Sequence, residues 1–137
     1  MANITGSWED REEIRELYAR YASTIDQGNY EDWIDCFTED GVFESARLGR
    51  HEGRAGLRKF TEIYAGSLGG AQVRHVITNV TFKIEGAYGT GACYLIHFNC
   101  KDARVQQAAV GRYSDTLRKS AGRWLFASRK VSFDGHH

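Results

Sequence analysis

The chain has 137 residues, with 18 Lys plus Arg against 18 Asp plus Glu and a formal net charge of zero. Intermixed, balanced charge lacks the basic footprint of a nucleic-acid binder, and no apolar run approaches the ~20 residues of a membrane span. A single domain over residues 1–137 is expected, large enough to bury ~68–70% of the unfolded surface and still enclose a pocket.

The opening MANITGSWEDREE has neither the basic nor the apolar region of a signal peptide, so a cytoplasmic location is expected. A helix is predicted from about Trp8 to Ile25. Ser7 is its N-cap, and Glu9 and Asp10 stand where the dipole favours negative charge. Ile14, Leu17, Tyr18, Tyr21 and Ile25 repeat at 3–4 spacing and form one buried face. Gly28 terminates this helix. Asn29 is read as the cap of a second, short helix whose apolar side is Trp33, Ile34 and Phe37, with Asp32 completing a partial capping box. Asp40-Gly41 reads as a turn, Val42 to Leu48 as a strand, and Gly49 to Gly53 as a loop. A third helix is predicted over roughly Ala55 to Ala65, with Leu57, Phe60 and Tyr64 on one side.

From Val73 the period becomes that of strands. Val73–Ile84, Thr90–Cys100, Val105–Leu117 and Trp124–Phe133 are separated by turn-like breaks, which implies an antiparallel meander. Helices first and strands afterwards imply an α+β fold with helices packed on one face of the sheet. Val73, His75 and Ile77 share a face, and farther along Val80, Phe82 and Ile84 are apolar at even positions. The next strand is apolar on both sides, with Ala92, Tyr94, Ile96 and Phe98 on one and Cys93, Leu95 and His97 on the other. Such a strand must be covered twice: helices cover one face, and the second needs an enclosed cavity or a partner subunit, so a homo-oligomer is expected.

Cys36, Cys93 and Cys100 show no CxxC spacing and read as reduced, mostly buried thiols, not a disulfide framework or a metal site. Proline is absent, and nothing in the chain explains that. His136 and His137 resemble the remnant of a purification tag and are given no role.

Two residues draw chemical interest. Asp26 ends the first helix, where a carboxylate meets the negative end of the dipole at a cost of ~0.3–1 kcal/mol. It is either a turn residue bonded to its own backbone or a group with a partner elsewhere. His75 lies mid-strand between Val73 and Ile77, and His97 lies in the next strand. Each is either a satisfied core residue or part of a site. A histidine giving one ring N–H to a carboxylate is held in one tautomer, its other nitrogen free as a base. A tyrosine hydroxyl could then polarise a carbonyl or protonate a leaving group. On the helical wheel Tyr18 lies ~80° from Asp26 and Tyr21 ~140°. Arg47, Arg50, Arg54 and Arg58 form a basic cluster, either a solvated face or an anion site, and are read as the solvated face. No nucleophile elbow, phosphate-cradling glycine loop or metal-ligand spacing occurs.

The run IRELYARYASTIDQGNYEDWIDCFTEDGVF, followed by RHVITNV and a meander ending RWLFASRKV, resembles the SnoaL-like branch of the cone-shaped α+β barrels, in the nuclear-transport-factor-2-like superfamily. Relatives there include scytalone dehydratase, hexachlorocyclohexane dehydrochlorinase, bile acid 7α-dehydratase and ketosteroid isomerase. The resemblance implies three helices on a curved, mostly antiparallel sheet enclosing a pocket. Asp26 and His75 match the positions of the dehydratase dyad, and Tyr21 resembles the catalytic tyrosine of the bile acid enzyme. The implied activity is a cofactor-independent lyase acting on a small, apolar, cyclic or aromatic substrate. The implied assembly is a trimer, with a dimer second. Tyr18, Trp33, Phe37, Phe43, Tyr64, Asn79, His97 and Phe98 are the expected substrate-binding residues, with no metal and no cofactor. The alternatives are a double-bond isomerase, a non-catalytic dioxygenase small (beta) subunit and a ligand-binding protein.

Overall fold

A computed structural model describes residues 4–135 of the chain; His136 and His137 lie outside the described residues. The element order is α1 (Trp8–Asp26), α2 (Tyr30–Ile34), β1 (Phe37–Ser45), β2 (Gly49–Glu52), α3 (Gly53–Ser67), β3 (Gln72–Glu85), β4 (Tyr88–Lys101), β5 (Arg104–Ser120) and β6 (Arg123–Phe133). The strands form one six-stranded sheet in the order β2-β1-β6-β5-β4-β3. All neighbours are antiparallel except β1 and β6. This is the expected α+β architecture, with the helices packed on the sheet.

Ser7 caps α1 as expected, its hydroxyl accepting the Asp10 N–H at 3.1 Å. Asn29 stands at the N-cap position of α2, where its carbonyl accepts the Trp33 N–H at 3.0 Å, but its side chain makes no cap bond. Its ψ of 70° lies away from the extended conformation that aims a cap side chain at the helix amides, and its amide donates to Gln27 instead. The Gly49–Gly53 segment is not an open loop: it pairs back on β1 as β2, with Phe43 opposite His51. Phe37 starts β1 and is no part of α2, and Asp40-Gly41 is not a turn between elements but an irregular stretch inside β1, where the register against β6 shifts.

Three register shifts decide which side chains face inward. In β3, Thr78 pairs with Tyr94 but Thr81 with Ala92, so one extra residue is inserted. Asn79 takes it up with a left-handed φ of 55°. The insertion brings odd-numbered Val73, His75 and Ile77 and even-numbered Val80, Phe82 and Ile84 to the same face. In β5 the extra residue lies between Gln107 and Ala109, opposite Phe98 and His97. In β6 it lies between Phe126 and Ser128, so that Trp124 and Phe126 point inward and so do Arg129 and Val131.

β3 is a sheet edge, and unpaired edge amides invite aggregation unless covered. Here α1 and the segment before it do the covering. Thr5 Oγ1 accepts the Ile84 N–H at 2.8 Å, and Asp26 accepts the His75 N–H. One continuous core runs from Ile14, Leu17 and Tyr21 of α1 through Trp33 and Phe60 to Leu95, Tyr113 and Phe126 of the sheet. Gly91 is required where it stands, because a Cβ there would collide with the Tyr18 hydroxyl. Cys36 and Cys93 are buried and Cys100 partly so, and all three are free thiols. Among the described residues no helix is long and apolar enough to cross a membrane.

Candidate active site

Asp26 and His75 meet. The Asp26 Oδ1 lies 2.6 Å from His75 Nδ1, and its two oxygens accept the His75 backbone N–H at 3.2 and 2.9 Å. Asp26 therefore does not bond its own turn. Its place against the helix dipole is offset by two donors from the edge strand, worth more to a carboxylate than neutral bonds. The two side chains are only 8% and 11% exposed for His75 and Asp26. A proton on Nδ1 shared with the carboxylate leaves Nε2 as the ring nitrogen open to chemistry.

His75 opens on a cavity of about 250 Å³ whose walls are mostly apolar. His97 stands directly across the strand pair from His75, their rings 4.5 Å apart. The Tyr64 hydroxyl lies 3.3 Å from His97 Nε2. Burial and the neighbouring His75 depress the His97 pKa to about 4, against a smaller opposing pull from Asp26. His97 is thus neutral at pH 7, an imidazole that can donate or accept without adding charge.

A stability prediction follows from His97. Its folded pKa lies below the ordinary 6.5. Between those two values the unfolded chain binds a proton that the folded protein refuses, so stability falls as pH drops from 6.5 towards 4. After allowance for solvent screening this contributes about 1–2 kcal/mol. Thermal melts across that window should show a shallower loss for His97→Gln than for the wild type. Parallel curves would remove His97 as the source.

Tyr21 lines the cavity and is 1% exposed. Burial and the nearby Tyr113 oxygen hold its pKa well above the phenol norm, so it is a permanent O–H donor. Of the other expected pocket residues, Phe43 and Tyr64 line the cavity. Tyr18, Trp33, Phe37, Asn79 and Phe98 do not, and the reasons differ. Tyr18 turns the other way and gives its hydroxyl to Asp115 Oδ2 at 2.5 Å. Trp33 and Phe37 are sealed one layer behind, ring against ring with Tyr21. Asn79 is spent on the β3 bulge. Phe98 follows His97 on a pleated strand and so projects from the opposite face.

Sequence reasoning did not place Tyr113, Val131 and Phe133 on the wall, and it read Arg47, which also lines the cavity, as part of a solvated face. It also missed a fully buried ion pair, Arg129 Nε to Asp115 Oδ1 at 2.8 Å, both side chains 0% exposed. Arg129 Nη2 reaches Asp115 at 3.2 Å and the Cys93 sulfur at 3.2 Å. Its guanidinium carbon sits 3.7 Å from the Tyr113 ring centre and 4.3 Å from that of Tyr21. Burial alone would weaken the charge on Arg129; Asp115 and the surrounding tyrosine oxygens more than offset this and raise its pKa. Burial also pushes Tyr113 up to about 12. The period-2 run Tyr113, Asp115, Leu117 was a signal for an inward carboxylate that the sequence reading did not use. Among the described residues no three His, Cys, Asp or Glu side chains converge as a metal-ligand set.

The sequence model of the SnoaL-like domain matches residues 6–130. The chain belongs to the SnoaL-like family. Among solved structures it is similar to Rv3472(D26N), a function-unknown protein from Mycobacterium tuberculosis, at 31% identity and a TM-score of 0.85, covering 93% of this chain and 73% of that one. It is also similar to an NTF2-like protein with a cystatin-like fold from Novosphingobium aromaticivorans, at 28% identity and a TM-score of 0.86, covering 93% and 84%. ActVI-ORFA from Streptomyces coelicolor shares the fold at 20% identity, with a TM-score of 0.83 over 93% and 96% of the two chains. No curated protein matches the chain. SnoaL-like folds host polyketide cyclases and isomerases, and members of the family are often enzymes.

Proposed function

We propose that this SnoaL-like protein is a cofactor-independent lyase of dehydratase type, acting on a small, mostly apolar cyclic substrate. The observation that carries the proposal is the 2.6 Å contact between Asp26 and His75 Nδ1 at the wall of an apolar cavity. His75 Nε2 takes a proton from the carbon next to a carbonyl, and Asp26 orients the ring and stabilises the imidazolium so formed. The C–H electron pair passes into an enolate, the β carbon–oxygen bond breaks, and the departing hydroxyl is reprotonated to water. Tyr21 donates to the carbonyl or to the leaving oxygen. Neutral His97, held by Tyr64, adds a second polar contact without a competing charge.

A double-bond isomerase would use the same base with no leaving group, and one assay separates the two. 3-Hydroxy-1-tetralone should lose water to give 1-naphthol, visible by absorbance. 2-Tetralone should exchange its α protons in D2O, visible by NMR. Exchange without dehydration favours the isomerase; neither activity removes the base and leaves a binding protein.

We also propose a homo-oligomer, with a trimer first and a dimer second. Val76 and Tyr94, paired strands' residues on the outer face of the sheet, are 39% and 51% exposed. The chain mass is 15.5 kDa, and light scattering on the purified protein should return a small multiple of it. A monomer at micromolar concentration would sink this proposal.

A further inference from the structure

The cavity is electrically lopsided. Among its described lining residues there is no Asp or Glu, and Arg47 is the only Lys or Arg. Arg47 sits in the short turn between β1 and β2. That turn is pinned by the Leu48 N–H on Ser45 Oγ at 2.7 Å and by His51 Nε2 on the Leu48 carbonyl at 2.9 Å. The Arg47 guanidinium carbon lies 5.1 Å from the centre of the Phe133 ring, itself part of the cavity wall. The side chain is therefore laid along the rim.

Its neighbours in the basic cluster behave differently. Arg50 pairs with Glu44 and Glu52, Arg54 with Glu31 and Asp35, and Arg58 with Glu31. Arg47 alone of the four has no acidic partner within 4.0 Å among the described residues. A second unmet group lies on β4. Asn99 alternates with His97 on the inner face and lines the same cavity, and its Oδ1 is buried with no hydrogen-bond partner among the described residues. A buried acceptor left unpaired is costly, and a ligand hydroxyl would satisfy it.

We infer that Arg47 is an anion-recognising group at the mouth of the cavity, and that the substrate is a ring compound carrying a carboxylate at its outer end. The ring lies between Phe43, Phe60, Val131 and Phe133. The carboxylate meets the Arg47 guanidinium, whose planar donors match it in a two-pronged fashion. A hydroxyl on the ring donates to Asn99. This deepens the dyad proposal by naming a substrate feature, but it rests on that proposal only for which end of the substrate reacts.

The test is a binding measurement that needs no turnover. Dissociation constants for 2-naphthylacetate and its neutral analogue 2-naphthylacetamide are measured by calorimetry at pH 7.5 and low salt, for the wild type, Arg47→Met and Arg47→Lys. The wild type should prefer the carboxylate by about three- to tenfold. Arg47→Met should abolish that preference while leaving the amide within about twofold, and Arg47→Lys should keep part of it. Arg47 is on an exposed turn, so both variants should melt like the wild type. Equal binding of the two probes by the wild type, failure to bind either, or an equal loss of both in Arg47→Met overturns the inference. So does a carboxylate preference that persists in Arg47→Met and disappears in His75→Gln, which would place the cation on the dyad. Loss of exchange activity in His75→Gln is a separate readout, so the dyad and the rim arginine stand or fall independently.

Discussion

His75→Gln is expected to slow deuterium exchange into 2-tetralone by about 10²–10⁴-fold, the range a positioned general base contributes. Glutamine keeps polarity and approximate size but cannot take up a proton at working pH. Asp26→Asn should cost about 10²-fold or more, because the amide neither carries the charge that stabilises an imidazolium nor enforces the Nδ1–H tautomer. Asp26 also holds the His75 backbone N–H at 2.9 Å, so Asp26→Asn should loosen the β3 edge as well. A thermal melt separates the two effects: His75→Gln should lose rate with little loss of Tm, and Asp26→Asn should lose some of both. If both variants exchange protons at the wild-type rate, the dyad is structural and the lyase proposal falls with it.

The second large effect concerns stability. Asp115→Asn leaves the Arg129 guanidinium buried without a countercharge, and breaking a buried pair from one side costs about 3–5 kcal/mol. For a chain of this size that lowers Tm by roughly 10–20 °C. Replacing both partners at once, Asp115→Leu with Arg129→Met, should recover most of the loss, because an apolar pair of similar volume avoids the desolvation of two ions. Chemical denaturation of the three proteins decides it. A single variant as stable as the double would mean that Arg129, with its Nη1 unpartnered among the described residues, is sustained by the rings of Tyr18, Tyr21, Tyr113 and Phe126 alone.

These two effects meet at the cavity floor. Tyr21 and Tyr113 line the cavity on one side and carry the Arg129 cation against their rings on the other. The double variant therefore also reports whether the floor keeps its shape without the ion pair. Full affinity for 2-naphthylacetamide would show that packing alone maintains it.

Much of this site was legible in one dimension. Asp26 stood out because a carboxylate in a last helical turn opposes the dipole and calls for a partner. Helical spacing placed Tyr21 on the buried face of α1, and strand alternation put His75 beside Val73 and Ile77. Those are local properties, set by periods of 3.6 and 2 that any segment of chain carries with it. What alternation could not show was where it breaks. Extending the even-numbered phase of Trp124 and Phe126 sends Arg129 to the outer face, yet an inserted residue in β6 turns it inward to Asp115. The same kind of insertion spends Asn79 on a bulge and places Ala108 and Ala109 together on the cavity wall. A bulge arises from two strands accommodating each other, so neither strand signals it alone.

The amino-acid sequence by itself determined the α+β class and the long helices and strands, because each rests on local periodicity, and it marked Asp26 as a residue at odds with its surroundings; the pairing of Asp26 with His75 came from the family resemblance and not from either segment alone. Only the tertiary structure decided that Tyr18 bonds Asp115 and not the cavity, that Tyr21 and Tyr113 form its floor with Arg129 behind them, and that among the described residues Arg47 alone of its cluster is left without an acid. Those outcomes depend on which distant side chains share a face once the sheet curls, and that is set by register between strands and not by the order of residues along any one of them.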